Sequence, residues 1–131
     1  MRASATLVPG TLRSDVVVRG RFHVATDEPE RVGGEDSAPA PHELVPAALA
    51  GCIATTLAMY ARTKGWELGE VAVDVRYDQG ATPPRAEVEI RLGGDLTPDQ
   101  LRRLERAAAT CPVRRSLEGG VVVEERIAVP A

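Results

Sequence analysis

The fold is decided by residues 43–60, which read ELVPAALAGCIATTLAMY. No charged residue occurs from Leu44 to Ala61, and a stretch of this length either spans a membrane or forms a helix enclosed in a protein core. Pro46, Gly51 and several alanines keep its hydrophobicity moderate, and the sequence around it alternates like the sheet of a water-soluble protein. We therefore predict a long central helix that is apolar on all sides because it is buried on all sides, and that does not enter a membrane.

The segment before this helix has the pattern of short strands followed by a loop. β-branched residues dominate three runs separated by turn-forming glycine and proline, which are Ser4–Val8, Arg13–Val18 and Arg21–Thr26. Prolines, a glycine pair and charges mark residues 27–41 as a loop. The helix is predicted to begin at Pro41 or Glu43 and to end at Lys64, with Gly65 as its stop signal.

Two strands with one buried face are predicted after the helix. Apolar and polar residues alternate from Val71 to Asp78 and again from Ala86 to Leu92. This period of two is typical of an antiparallel pair that faces the core on one side.

The last third of the chain is predicted to form two helices and a final strand. Thr97-Pro98-Asp99-Gln100 is a capping box that starts a helix. The buried stripe of this helix is predicted to be Leu101, Leu104, Ala108 and Cys111. Pro112 indicates that a second, short helix begins there and runs to about Leu117, and Val121–Val129 is predicted as a strand. The chain is therefore predicted to be one α+β domain over residues 1–131, in the order β-β-β-α-β-β-α-α-β.

Composition excludes several classes of protein. The net charge is −3 and no basic cluster occurs, which argues against nucleic-acid binding. Residues 1–10 lack the apolar core of a secretory signal, so we expect a cytoplasmic protein. In that reducing compartment the chain's 2 cysteines are expected to form transient, catalytic disulfides rather than structural ones.

Cys111 has the stronger local signals of a reactive thiol. It stands beside the predicted helix start at Pro112, and Arg114 and Arg115 follow closely. A helix N-terminus and nearby cations favour the thiolate, so we expect a pKa below the ordinary value of about 8.5. The alternative is a small, unreactive residue packed at a helix junction.

Cys52 lies in the middle of the alanine-rich helix, where a thiol more often serves packing and where apolar burial raises its pKa. Thr55 and Thr56 follow it by three and four residues, although threonine in a helix more often bonds its own backbone. His42 is a candidate base for a Cys-His hydrolase with Cys52, and a solvated histidine is the alternative. No Cys-x-x-Cys or His-Glu-x-x-His spacing occurs, so no metal site is predicted.

Three segments together resemble the OsmC/Ohr family of thiol-dependent peroxidases. They are Gly33–Leu44, Ala47–Cys52 and Cys111–Leu117, and the element order agrees as well. The resemblance implies an intertwined homodimer with two long central helices packed together and active sites at the subunit interface. Two departures, His42 where the best-studied branch has the acid and Arg114 where a histidine is commoner, place the chain in the broader OsmC-like group.

The resemblance also implies a mechanism and its residues. Cys52 is implied to be the thiolate that attacks an organic hydroperoxide, and Cys111 the thiol that resolves the sulfenic acid as a disulfide. Glu43 and an N-terminal arginine are implied to hold the thiolate and orient the peroxide. Arg13 is the favoured arginine, with Arg19 and Arg21 as alternates.

The resulting hypothesis is a cytoplasmic peroxidase for oxidative stress defence that needs no metal or organic cofactor and is restored by a dithiol such as a lipoyl group. The alternative is a non-enzymatic OsmC-like protein that binds an apolar ligand or senses oxidation through the same thiols.

Overall fold

The β-branched runs near the start of the chain form a three-stranded antiparallel sheet in the computed structural model, which describes residues 1–130. Its strands are β1 (Ala3–Leu7), β2 (Ser14–Val18) and β3 (Phe22–Thr26), in that spatial order. Val16 on the central strand pairs with Ala5 on one side and Val24 on the other. The three predicted strands are confirmed to within one residue at each end.

The chain divides into two compact units. The first comprises residues 1–47 and 77–86, and the second comprises residues 48–76 and 87–131. The first unit contains the three-stranded sheet and the loop that follows it.

The loop after β3 is closed by backbone hydrogen bonds. The Asp27 amide donates to the Pro39 carbonyl at 3.0 Å, and the Asp36 amide donates to the Glu28 carbonyl at 3.0 Å. A Cβ at Gly34 would collide with the Glu28 backbone, so this turn requires glycine. One glycine of the Gly33-Gly34 pair therefore serves loop closure.

The long helix α1 (Leu44–Lys64) follows a short 3₁₀ turn at Pro41–Glu43. It ends in a Schellman motif, in which Gly65 has a φ of 70° and the Trp66 amide donates to the Ala61 carbonyl at 2.9 Å. Both the predicted helix and its glycine stop signal are confirmed.

The burial of α1 differs from the prediction. Only one stripe is fully buried, with residues four apart: Leu49, Ile53, Leu57 and Ala61. The opposite face of the helix is open, and Met59 is 61% exposed there. The prediction that the helix is covered on all sides is therefore wrong for the single chain, because one layer of neighbouring elements can cover only one face of a helix.

By length and composition the segment Pro41–Lys64 would also suit a membrane span. Its stripe instead forms the core of the second unit with residues from other elements, which are Leu68, Leu104, Ala108 and Cys111. The core helix of a globular protein meets the same length and composition criteria, and this packing favours that interpretation over a membrane span.

Strands β4 (Val71–Asp78) and β5 (Arg85–Leu92) form a two-stranded sheet. Val73 and Val75 are half-buried, whereas the intervening Asp74 is exposed, so the alternation predicts the burial of β4 correctly. In β5 the alternation holds at the end of the strand, where Ile90 and Leu92 pack against the core.

Helices α2 (Pro98–Ala108) and α3 (Pro112–Gly119) follow. The capping box is confirmed in both directions, since Thr97 Oγ1 accepts from the Gln100 amide at 3.1 Å and Gln100 Oε1 accepts from the Thr97 amide at 2.8 Å. The predicted stripe is correct except at Leu101, which is 46% exposed. At about 100° per residue Leu101 lies at the edge of the buried face, whereas Ala107 lies within it and is buried.

The predicted strand at Val121–Val129 is wrong for the single chain. Residues 120–130 have no regular structure, and Val122 and Ile127 are 89% and 94% exposed. A strand forms only where another strand offers hydrogen bonds, and neither sheet among residues 1–130 includes this segment.

Candidate active site

Cys52 lies on α1 beside the buried stripe, and its side chain is half-buried against the core of the second unit. Thr56 donates its hydroxyl to the Cys52 backbone carbonyl at 2.8 Å. The threonine therefore bonds the helix backbone and not the sulfur, as is usual for threonine within a helix. The Cys52 thiol is a free thiol and is in part open to solvent.

Cys111 is the N-cap residue of α3, directly before Pro112, as predicted. Its amide donates to the Ala108 carbonyl at 3.2 Å, and its own carbonyl accepts the first bond of α3 from the Arg115 amide at 3.0 Å. These two bonds fix the backbone on both sides of the thiol. The side chain is 0% exposed and belongs to the core of the second unit.

The structure brings the two thiols together in the core of the second unit, where Cys52 packs against the cluster that contains Cys111. Burial raises the pKa of Cys111 above its ordinary value, and the hydrogen bond with Cys52 raises it further. The backbone amides of Arg114 and Val113 act in the opposite direction, because amide donors favour the thiolate.

The prediction of a lowered pKa at Cys111 is therefore wrong. The start of α3 does supply amide donors, but complete burial removes the solvent that would stabilise the charged sulfur, and that effect is larger. The Arg114 guanidinium is engaged elsewhere, because its Nε lies 2.8 Å from Glu118 Oε1. The prediction of a helix start at Cys111 is confirmed, whereas the complete burial of the thiol is not evident from the sequence.

Arg13 lies in the first unit and reaches across to the loop after β3. Its Nη1 donates to the Ser37 hydroxyl at 2.7 Å and to the Ser37 carbonyl at 3.3 Å. The two alternates differ, since the guanidinium carbons of Arg19 and Arg21 lie 5.1 and 4.9 Å from the centroid of the Phe22 ring. Among the three arginines, Arg13 is the one held by directed hydrogen bonds to the loop.

Glu43 and His42 both lie in the 3₁₀ turn before α1. Glu43 Oε1 accepts from the Ala40 amide at 2.9 Å and so caps that turn. The His42 ring packs near Tyr77, with centroids 6.3 Å apart. Within residues 1–130 no ion pair joins Arg13 to Glu43.

Sequence inspection missed Asp27 and Ser37. Asp27 is 1% exposed, and its carboxylate accepts from the Ser37 hydroxyl at 2.6 Å and from the Glu28 amide at 2.8 Å. These hydrogen bonds lower the pKa of Asp27 from 3.8 to about 2, and the bond with the Ser37 hydroxyl has the largest effect. The signal in the sequence is an aspartate that directly follows the last residue of a strand.

No group of three metal-binding side chains is found among residues 1–130.

Comparison with known proteins identifies the family. The model of the family described as OsmC-like protein matches residues 34–126. No curated protein matches the sequence significantly.

Solved structures agree with this assignment at the level of fold. A protein from Psychrobacter arcticus 273-4, named for osmotic stress induction and detoxification response, matches with a TM-score of 0.75 and 24% identity over 87% of this chain and 85% of its own. An OsmC-like protein from Mycoplasma pneumoniae matches with a TM-score of 0.69 and 16% identity over 90% and 86% of the two chains. An organic hydroperoxide resistance protein OsmC from Legionella pneumophila matches with a TM-score of 0.63 and 21% identity over 90% and 88%.

The family model matches residues 34–126, and the long helix that carries Cys52 and the antiparallel sheets agree with it. This chain therefore belongs to the OsmC-like protein family.

Proposed function

We propose that this protein is a thiol-dependent peroxidase that reduces organic hydroperoxides to alcohols in defence against oxidative stress. The observation that carries the proposal is the pair of free thiols in one apolar core, of which Cys52 is in part open to solvent and Cys111 is fully buried. Family membership supports a stress-defence role, and relatives of similar fold from Legionella pneumophila and Bacillus subtilis are named organic hydroperoxide resistance proteins.

The difference in exposure between the two thiols supports a division of roles between them. Only Cys52 is open enough to meet a peroxide, because Cys111 is 0% exposed. The core against which Cys52 packs is mainly aliphatic, with Ile53 and Leu57 among its members, and an apolar surface suits the organic part of a hydroperoxide. We therefore assign Cys52 as the attacking thiol and Cys111 as the resolving thiol.

The first chemical step oxidises Cys52. Its thiolate attacks the outer oxygen of the hydroperoxide, the O–O bond breaks, and the leaving alkoxide takes up a proton to become the alcohol. The sulfur is left as a sulfenic acid.

The second step closes the disulfide. Cys111 gives up its proton, its sulfur attacks the sulfenic sulfur of Cys52, and hydroxide leaves as water with that proton. Because burial raises the pKa of Cys111, deprotonation of this thiol is the demanding part of the step. A dithiol of the lipoyl type then supplies two electrons and two protons and restores both thiols.

Arg13 and Glu43 are proposed to hold the Cys52 thiolate and orient the hydroperoxide. The planar guanidinium of Arg13 offers several donors in a fixed geometry, which suits an anionic sulfur and a peroxide oxygen together. Glu43 supplies the negative partner that would restrain such an arginine, and its present role as a cap keeps it at the start of α1.

The active form is proposed to be a cytoplasmic homodimer with its sites at the subunit interface. The open face of α1 carries Gly51, Thr55, Ala58 and Met59, whose spacing places them on one side of the helix. Small residues allow a second helix to approach closely. The segment Val121–Val129, whose valines and Ile127 are exposed and which belongs to neither sheet, is proposed to pair with the other subunit.

The test measures loss of cumene hydroperoxide with dihydrolipoamide as reductant. The wild type should turn over many equivalents, Cys52→Ser should be inactive, and Cys111→Ser should lose sustained turnover. Mass spectrometry of the peroxide-treated wild type should find a Cys52–Cys111 disulfide. Unchanged turnover in Cys52→Ser would exclude the proposal.

A second candidate is a non-enzymatic sensor of oxidation or binder of an apolar ligand. The sensor is favoured by the raised pKa of Cys111, since a protonated resolving thiol slows closure of the disulfide and so slows a repeated catalytic cycle. The stoichiometry separates the two functions. A sensor consumes one equivalent of peroxide per thiol pair even with excess dihydrolipoamide, whereas a peroxidase continues.

A further inference from the structure

The backbone of Arg13 is fixed on both sides before its side chain leaves the sheet. Its amide donates to the Thr11 hydroxyl at 3.0 Å, and its carbonyl accepts from the Val8 amide at 2.8 Å. The turn between β1 and β2 therefore sets the starting point of the side chain. A long arginine side chain still keeps several rotatable bonds, so the direction of the guanidinium must be decided elsewhere.

That direction is decided by Ser37, 24 residues away in sequence. The Ser37 hydroxyl has a single proton, which it donates to Asp27 Oδ2 at 2.6 Å. Its lone pair is then turned toward Arg13 Nη1, which donates to it at 2.7 Å. Because an ionised carboxylate can only accept, Asp27 determines which way the hydroxyl points.

Asp27 is itself held rigidly. It is 1% exposed and also accepts from the Glu28 amide at 2.8 Å and the Ser37 amide at 3.1 Å. Those two amide bonds would already anchor the loop to the end of β3. The Ser37 hydroxyl connects the Asp27 carboxylate to the Arg13 guanidinium. Loop closure alone does not require this connection.

We propose that Asp27 and Ser37 are positioning residues for Arg13, and that together they hold its guanidinium in one orientation. The catalytic half of this inference rests on the peroxidase proposed above. There, a fixed orientation would keep the Arg13 guanidinium ready to hold the thiolate and the hydroperoxide before the substrate arrives. Hydrogen-bond donors that are already in place need no rearrangement during the reaction. Holding the Arg13 guanidinium in one orientation would give the enzyme this advantage.

The first experiment measures the order of the Arg13 side chain directly. Relaxation of its ¹⁵Nε in the full chain should show a restrained guanidinium in wild type and in Ser37→Thr, which keeps a hydroxyl. Ser37→Ala should release it. Arg19 and Arg21, which pack on Phe22, serve as internal controls and should not change. This readout is independent of any peroxidase activity.

The second experiment measures kcat/KM for cumene hydroperoxide. Ser37→Ala should lower it about tenfold, the scale of loss expected when a catalytic contact is slightly misplaced. Ser37→Thr should recover most of it, and Ser4→Ala on the exposed edge of β1 should match wild type. In an Arg13→Ala background, Ser37→Ala should add no further loss, because the two changes remove the same interaction.

The outcomes are separable. An unchanged Arg13 relaxation in Ser37→Ala overturns the inference, whatever the enzyme does. If the Arg13 guanidinium is released in Ser37→Ala but kcat/KM is unchanged, the catalytic half of the inference is overturned. If the wild type has no turnover at all, the proposed function fails, and the relaxation experiment still decides whether Asp27 and Ser37 position Arg13.

Discussion

Two opposing effects meet at the Cys111 sulfur. The amides at the start of α3 favour the thiolate, whereas complete burial and the hydrogen bond with Cys52 favour the thiol, and the pKa is raised. A helix N-terminus therefore does not by itself lower the pKa of a cysteine, because burial acts in the opposite direction. Cys52 has the partial exposure that Cys111 lacks.

This difference predicts selective alkylation. Iodoacetamide at about pH 8 should modify Cys52 in the native protein and leave Cys111 unmodified, because alkylation needs an accessible thiolate. Peptide mapping of the quenched reaction measures both sites. Addition of guanidinium chloride before the reagent is the control and should make both thiols react. Native labelling at Cys111 would contradict the burial on which the assignment of roles depends.

At the scale of elements, the features that sequence predicted well are local ones. The capping box of α2 involves residues three apart, and the glycine stop of α1 directly follows the helix. Neither needs information from distant parts of the chain. The contact between Asp27 and Ser37, which are ten residues apart, depends on how the loop after β3 closes, and no propensity of either residue predicts it.

The same reasoning explains the wrong prediction at Val121–Val129. Its alternation and β-branched residues are those of a strand, but a strand's stability comes from its neighbours and not from its own sequence. For the candidate site, the sequence located both cysteines and the N-cap of α3. The contact between the thiols and the full burial of Cys111 are properties of the packed core.

The loop after β3 is expected to make folding stability depend on acid pH through Asp27. The pKa of Asp27 is about 2 in the folded protein, whereas the ordinary value for an aspartate, taken for the unfolded chain, is 3.8. The folded state therefore favours the carboxylate. The stabilisation is complete above the unfolded pKa and is lost as pH falls from about 4 to about 2. Urea unfolding at several pH values measures this loss.

Variants of the loop should grade the effect. Asp27→Asn should remove this part of the pH dependence, and Ser37→Ala should reduce it in part, because the Ser37 hydroxyl is the largest cause of the lowered pKa. An Asp27→Asn protein with the same stability loss between about pH 4 and about pH 2 as wild type would show that another group is responsible.

At the scale of the whole molecule, the single chain leaves two apolar surfaces open. One is the face of α1 that carries Gly51 and Met59, and the other is the segment Val121–Val129. Exposed apolar surface of this extent usually marks an interface between proteins. The prediction of one domain over residues 1–131 stays a prediction beside the two compact units of the chain.

A substitution at Gly51 tests the proposed homodimer. A Cβ added at Gly51 has no neighbouring atom within 4 Å in the single chain, so Gly51→Leu should fold, and leucine favours the helix over glycine. If two α1 helices pack face to face, the added bulk keeps them apart. Sedimentation equilibrium should then give the mass of a dimer for wild type and that of a monomer for Gly51→Leu. Gly119→Leu in α3 has equally open surroundings and should stay dimeric. A wild-type monomer, or a Gly51→Leu dimer of unchanged affinity, would mean that this face of α1 is not the interface.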